Sequence, residues 1–335
     1  MRVGLVPLLA VSLIAASAFG QGSQQPEVDV PRPASDATSA PTSAESMVAP
    51  PPALEPWKLH GYYRLTAAAR LNPLGLFLGG TVLGRMRMYA SDSAALKDNY
   101  IGFGPVLLLS PANMRVGAGL EVQPLSILQL STSYELFAHF GSFEYLQSYP
   151  SPTYGTSDRD LRALKDARQN YAGIGGVFTL AALLQLKVGP IAVRSNLRAF
   201  YYTMRLRAGD RVWYDSILDV MSPNHGWVLT KDTDLLYVTN FGLAAGVRYT
   251  MTHSFFGAEH YEPGETPQPV LNSPTHRLGP FIAYTFFDRG ERAAVNAPTL
   301  VLIVQWYMRH RYRAGQVSSA GLPQLALAFT FKGVI

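Results

Sequence analysis

The stretch LVLIVQWYMRHRYR, residues 300–313, decides the fold. Leu300, Leu302, Val304, Trp306 and Met308 fall on one parity, and Val301, Ile303, Gln305, Tyr307, Arg309, Arg311 and Arg313 on the other. Successive side chains of a strand point to opposite faces, so a period of two predicts a strand with one apolar face and one face that turns polar and cationic.

The same alternation recurs outward from this segment. Near the start of the patterned region, Leu59, Tyr63, Leu65, Ala67 and Ala69 alternate with Lys58, His60, Tyr62, Arg64 and Thr66. Met114, Val116, Ala118, Leu120 and Val122 alternate with Arg115, Gly117, Gly119, Glu121 and Gln123. The last segment sets Leu325, Leu327, Phe329 and Phe331 against Ala326, Ala328, Thr330 and Lys332. The pattern predicts strands over 57–70, 76–89, 100–110, 113–123, 125–139, 170–188, 190–206, 235–250, 254–262, 276–287, 299–313 and 322–333. Segment 254–262 alternates least and is included to keep the strand number even. Most of these segments reach ten residues, longer than the usual soluble strand of about 5–6 and close to the 9–11 that cross a bilayer.

No apolar segment after residue 20 is long enough for a membrane helix. The longest, Tyr171 to Leu184, is interrupted by Gly173, Gly175 and Gly176, and it falls short of the roughly 20 residues needed. Charged residues are 15% of the chain and apolar residues 48%. A low charge fraction without excess hydrophobicity suits a sheet closed on itself, with lipid outside and polar groups inside. With the first strand running up from the inner side, the long links 140–169, 207–234 and 263–275 all fall on the outer side. Pro124, the Gly189-Pro190 turn and residues 251–253 fall on the inner side. Aromatic residues gather near strand ends at Trp57, Tyr89, Tyr100, Phe140, Tyr249, Phe286, Phe287 and Tyr312, where a bilayer interface favours them.

These features together resemble the general class of bacterial outer-membrane β-barrels, over residues 57–335. The resemblance implies a transmembrane antiparallel up-and-down barrel of about twelve strands in the bacterial outer membrane, with lipid and lipopolysaccharide as surroundings. Such barrels often end on an aromatic residue read by the assembly machinery. Phe329 and Phe331 have that phase, and Lys332-Gly333-Val334-Ile335 extend past them.

Residues 1–20 are expected to form an export signal: Arg2, an apolar run from Val3 to Ala18, then small residues suited to cleavage. Residues 21–56, with Pro26, Pro31, Pro33, Pro41, Pro50, Pro51, Pro52 and Pro56 among Ser, Ala, Thr and Gln, have almost nothing to bury. They are expected to be a disordered periplasmic tether, a spacer or a strap to a periplasmic or cell-wall partner. Arg32 against Glu27, Asp29, Asp36, Glu45 and Glu55 makes the tether net −4, so of the whole-chain +5 the region 57–335 carries +8.

The predicted phase points Lys58, Arg64, Arg85, Arg87, Arg115, Lys187, Arg194, Arg198, Arg248, Arg309, Arg311 and Arg313 into the lumen, opposed within strands by Glu121 and Glu135. Cations on a narrow wall concentrate anions, and arginine suits planar carboxylates and phosphates. The expected function is an outer-membrane channel or facilitator favouring small anionic solutes. The alternative is a structural barrel of an envelope-spanning complex, docked through the tether. An open water path favours the first and a filled lumen the second. Arginines near the outer rim, Arg309 to Arg313, could bind lipopolysaccharide phosphates instead. Residues 158–168, rich in mixed charge, predict a short helix in the 140–169 link, folded over the mouth or into it.

Catalysis is not expected. A nucleophile and base two residues apart share a strand face, yet no His-x-Ser occurs. His139 and Ser142, three apart, fall on opposite faces. His253, Glu259, His260 and Glu262 do not converge as metal ligands on a strand. With no cysteine, Walker loop or dinucleotide fingerprint, no cofactor, no metal and no nucleic-acid partner are expected.

Overall fold

A computed structural model describes residues 56–91, 93–140, 146–268, 273–290 and 292–335. The expected signal and nearly all of the expected tether lie outside the described residues. The elements follow in chain order: β1 Leu59–Leu71, β2 Gly75–Met86, β3 Tyr100–Leu109, β4 Asn113–Leu125, β5 Leu128–His139, β6 Ser148–Tyr149, α1 Asp158–Asp166, β7 Gly173–Val188 and β8 Ile191–Met204. After these come β9 Val212–Asp215, β10 Val220–Pro223, β11 Gly226–Val238, β12 Leu243–Ser254, β13 Thr275–Thr285, β14 Asn296–Arg309 and β15 Gln324–Val334. No described helix is long and apolar enough to cross a membrane.

Twelve strands close into one antiparallel barrel, in the order β1-β15-β14-β13-β12-β11-β8-β7-β5-β4-β3-β2. Closure is made by β1 against β15, with Arg70 opposite Ala326 and Tyr62 opposite Val334. Every wall strand therefore has a partner on both sides, which is what hydrocarbon requires of a backbone. Leu300, Leu302 and Trp306 are exposed outside, while Val301, Ile303, Gln305 and Tyr307 are buried inside. The period of two thus maps directly onto lipid and lumen.

The strand number agrees with expectation, but two of the expected pieces do not. Residues 235–250 are not one strand. They contain the end of β11, a turn, and the first part of β12. The turn at 239–242 is set by Gly242, whose φ of 94° is left-handed. There Thr239 N–H donates to the Leu243 carbonyl. Residues 254–262 are not a strand: they hold a 3-10 turn at Ala258–His260. The two errors cancel in the count. The cause is the run Lys231-Asp232-Thr233-Asp234, whose charges suggest a loop. In the barrel Asp232 and Asp234 point inward to arginines, so the segment is a lumen-lined strand.

The links between strands differ on the two sides. Residues 72–74, 110–112, 140–172, 205–225, 255–274 and 310–323 join strands on one side, which the length asymmetry marks as extracellular. Both ends of the barrel sequence lie on the other side. Link 140–172 carries α1 as expected. Its Ser157 accepts from Asp160 N–H and Asp160 accepts from Ser157 N–H, a capping box. Leu161 on α1 is buried, and it clusters with Tyr149, Val212, Tyr214 and Met221. Among the aromatic residues expected at the interfaces, Trp57, Phe140 and Phe286 are exposed. Tyr312 is buried, and Tyr100 turns inward to Glu121.

Candidate functional site in the barrel lumen

β6, β9 and β10 form a separate three-stranded sheet. The β9–β10 hairpin belongs to the extracellular link 205–225, yet its tip, Asp215 to Asp219, is buried inside the barrel. Trp213 packs edge-on against Phe137 and Tyr202 of the wall, at 5.7 and 5.1 Å. Ser254 donates to the Met221 carbonyl at 2.7 Å. The hairpin is a plug made from an outer loop.

Charged groups fix the tip. Arg70 donates to the Ser216 and Ile217 carbonyls, both at 2.7 Å. Asp219 accepts from Tyr214 Oη at 2.6 Å and from Arg313 Nε at 2.5 Å, with His310 Nε2 at 3.2 Å. Arg313 also reaches Asn72 Oδ1 at 2.9 Å and Asp158 Oδ1 at 3.0 Å, so it ties the β1–β2 turn, α1 and the plug together. Burial alone would raise the Asp219 carboxyl, but Arg313 and His310 hold it well below the usual carboxylate range. Burial pushes the Asp215 carboxyl up, against the Tyr202 hydroxyl and the N–H groups of Leu218 and Ile217. The tip thus holds one strongly ionised carboxylate and one that gains by being protonated.

Below the plug, acids and arginines alternate across neighbouring strands. Asp234 on β11 lies directly opposite Arg194 on β8 and Arg248 on β12. Arg248 binds it through two nitrogens, at 2.6 and 2.8 Å, and Arg194 lies at 3.0 Å. Asp232 takes Arg198 at 2.7 Å and the Thr250 hydroxyl at 2.6 Å. On the other side of the lumen Glu121 accepts from Arg85 at 2.9 Å and Tyr100 at 3.0 Å. Arg115 is held more loosely: its Nε is 3.7 Å from Glu135, and its guanidinium lies over the rings of Phe137 and Phe200.

Several expected lumen residues are where the alternation put them. Arg64, Arg85, Arg115, Arg194, Arg198, Arg248, Glu121 and Glu135 face inward, and Lys187 does so at the periplasmic end of β7. Others are displaced. Arg87 lies past the end of β2, donating to the carbonyls of Ser91 and Lys97 in the inner link. Lys58 precedes β1 and is exposed. Arg309 faces lipid, because a bulge between His276 and Arg277 shifts the β13–β14 register and pairs Arg309 with the outward His276. Arg311 is in the outer link over the Tyr312 ring, and Arg313 serves the plug rather than the wall.

Four inward groups on the wall are absent from the sequence reading: Arg70, Arg277, Asp232 and Asp234. Arg70 shares the parity of Arg64, which is a signal present in the sequence. Arg277 alternates with Leu278 in the same way, and it donates to Gln324 at 3.0 Å. Asp232 and Asp234 were hidden by the loop assignment. With these included, the strand wall carries eight inward arginines (Arg64, Arg70, Arg85, Arg115, Arg194, Arg198, Arg248 and Arg277) against four carboxylates.

The arginines Arg115, Arg194, Arg198 and Arg248 are each at most 2% exposed. Side chains on an open water-filled pore would not be, so the lumen is filled. One apolar cavity of about 580 Å³ lies at the low rim by the short 72–74 and 110–112 turns. Leu71, Leu76, Leu325 and Leu327 line it on the lipid side, and it reaches Arg70 and Ser216. A closed twelve-strand wall, apolar outside and charged inside, has one natural setting. That setting is a membrane, which the closed sheet spans with its strands.

No protein-family model and no curated protein matches the chain. Solved structures similar to it include OccAB1 of Acinetobacter baumannii, at 11% identity and TM-score 0.35, covering 78% of this chain and 67% of that one. LpxR from Salmonella typhimurium is 10% identical with TM-score 0.32, covering 82% of this chain and all of the other. OmpF of Salmonella typhi, in a complex with daunomycin, is 9% identical with TM-score 0.30, covering 82% and 97%.

One Ser–His contact is present where the sequence had none in register: Ser273 Oγ lies 2.9 Å from His253 Nδ1. Its neighbour is Arg309, whose Nη2 reaches the Ser273 carbonyl at 3.4 Å. A cation there opposes the imidazolium that a general base must become.

Proposed function

We propose that this barrel is a channel for small anionic solutes, held shut by the 205–225 hairpin in the conformation described. The supporting observation is the charge on the two parts. The wall has eight inward arginines and four carboxylates, and the plug tip adds Asp215 and Asp219. Asp219, the ionised carboxylate of the tip, thus acts as a tethered counter-ion where a soluble anion would otherwise sit. With the hairpin displaced, the wall is left with excess positive charge, which concentrates anions and favours their passage. Arg115, none of whose guanidinium nitrogens has a hydrogen-bond partner, is the first contact expected for such a solute.

The test is conductance in planar bilayers, comparing the full protein with a variant lacking residues 212–223. The shortened protein conducts more and its reversal potential in a salt gradient favours the anion. Arg115→Gln in that background lowers the preference. Cation preference, or no conductance from a shortened barrel shown to be folded, refutes the proposal. The filled lumen also fits a structural barrel in an envelope complex, and a silent shortened barrel would leave that reading standing.

A further inference from the structure

The outward side chains of the wall are apolar or weakly polar except in one place. Among the described strand residues, every aspartate and glutamate on the barrel wall points inward. The outward cations are Lys231 on β11 and Arg309 on β14, with two imidazoles, His253 on β12 and His276 on β13. They fall on four neighbouring strands rather than around the barrel. Lys231 pairs with Met251, Met251 with His276, and His276 with Arg309. His253 lies on the same face two residues beyond Met251. The patch sits toward the extracellular ends of these strands, just below links 205–225, 255–274 and 310–323.

The groups hold one another in place. Tyr249 Oη lies 2.7 Å from His276 Nδ1, and their rings stack. Ser273 joins His253 to Arg309 through its hydroxyl and carbonyl. Exposed Trp227, Phe255 and Trp306 flank the cluster. Cations are costly against hydrocarbon and are stabilised at an anionic headgroup layer. No outward carboxylate of the wall is available to neutralise these. The bulge at His276 is what turns Arg309 outward, so the register itself builds the patch.

We propose that this patch docks the phosphorylated saccharide headgroup of outer-leaflet lipopolysaccharide. Lys231 and Arg309 take its phosphates, and the aromatic side chains lie against its acyl chains. Three strand spacings of about 4.8 Å separate their backbones, which suits a headgroup bearing two phosphates rather than one. The site is independent of whether the lumen conducts.

The experiment uses the whole protein in detergent, offered purified bisphosphorylated lipid A, its monophosphorylated form, phosphatidylglycerol or inorganic phosphate, with bound species counted by native mass spectrometry. The wild type retains bisphosphorylated lipid A, the monophosphorylated form more weakly, and the other two least. The double variant Lys231→Gln/Arg309→Gln loses at least tenfold in retention. Arg311→Gln, a loop cation outside the patch, and Lys231→Arg, which keeps the charge, retain it. Circular dichroism checks that each variant is folded. Equal retention by wild type and double variant overturns the proposal, as does phosphatidylglycerol or inorganic phosphate binding as well as lipid A.

Discussion

Replacing Arg313 with glutamine undocks the hairpin tip. Arg313 and Asp219 bury their side chains to 5% and 3% exposure and meet through two contacts, at 2.5 and 3.1 Å. Removing one member of such a pair leaves an uncompensated buried charge, at a cost of about 3–5 kcal/mol. Tyr214 and His310 still face Asp219, so the lower figure applies. The Arg313 contact to half-exposed Asp158 adds little, because solvent screens it. About 3 kcal/mol is roughly a hundredfold shift in the docking equilibrium at about 1.4 kcal/mol per decade. The chain has no cysteine, so Ser216→Cys at the tip supplies a single thiol. In the parent it is buried and slow to react with an external thiol reagent. In Arg313→Gln its labelling is faster by about two orders of magnitude, and bilayer conductance rises with it. Asp219→Asn combined with Arg313→Gln costs less than the two changes added, since neither charge is then stranded. If Ser216→Cys labels as slowly with Arg313→Gln as without it, the ion pair does not hold the plug and the reasoning fails.

Conductance follows pH through Asp219. Its carboxyl lies well below the usual range in the docked state, so its contribution is complete above the unfolded value of about 3.9 and is lost as pH falls toward the docked value. Conductance is therefore expected to be flat from about pH 7 to 5 and to rise only below about pH 4; a rise already at pH 6 contradicts this. Asp215 has the opposite sign, because burial raises its carboxyl and ionisation costs stability above that raised value. Asp215→Asn should tighten docking at pH 7, read as slower labelling of Ser216→Cys. In the wall, Asp234→Asn strands both Arg194 and Arg248 and should lower the barrel's unfolding free energy by about 3 kcal/mol in denaturant titrations. Arg248→Met in that background recovers part of the loss.

Alternation alone determined that the chain is a closed membrane sheet with about twelve strands. It also placed the inward phase of Arg64, Arg115, Arg194 and Arg198, because a side chain's face follows from its parity once the sheet is closed. Length and asymmetry of the links fixed which side is outside. What parity cannot carry is any change of register or any contact between segments distant in sequence. The bulge at His276 inverts the face of Arg309, and it exists only because β13 meets β14. Lys231 to Asp234 looks like a loop until β8 and β12 bring arginines to its carboxylates, whose burial would be prohibitive without them. The plug is the clearest case: link 205–225 has the composition of an outer loop, and its descent into the lumen depends on Arg70 and Arg313, more than a hundred and about ninety residues away in sequence. Strand parity and composition set the wall and the sign of its inner charge. The pairing of Arg85, Arg194, Arg198 and Arg248 with Glu121, Asp234 and Asp232, and the filling of the lumen, follow from the fold, because it alone brings these partners within hydrogen-bond reach.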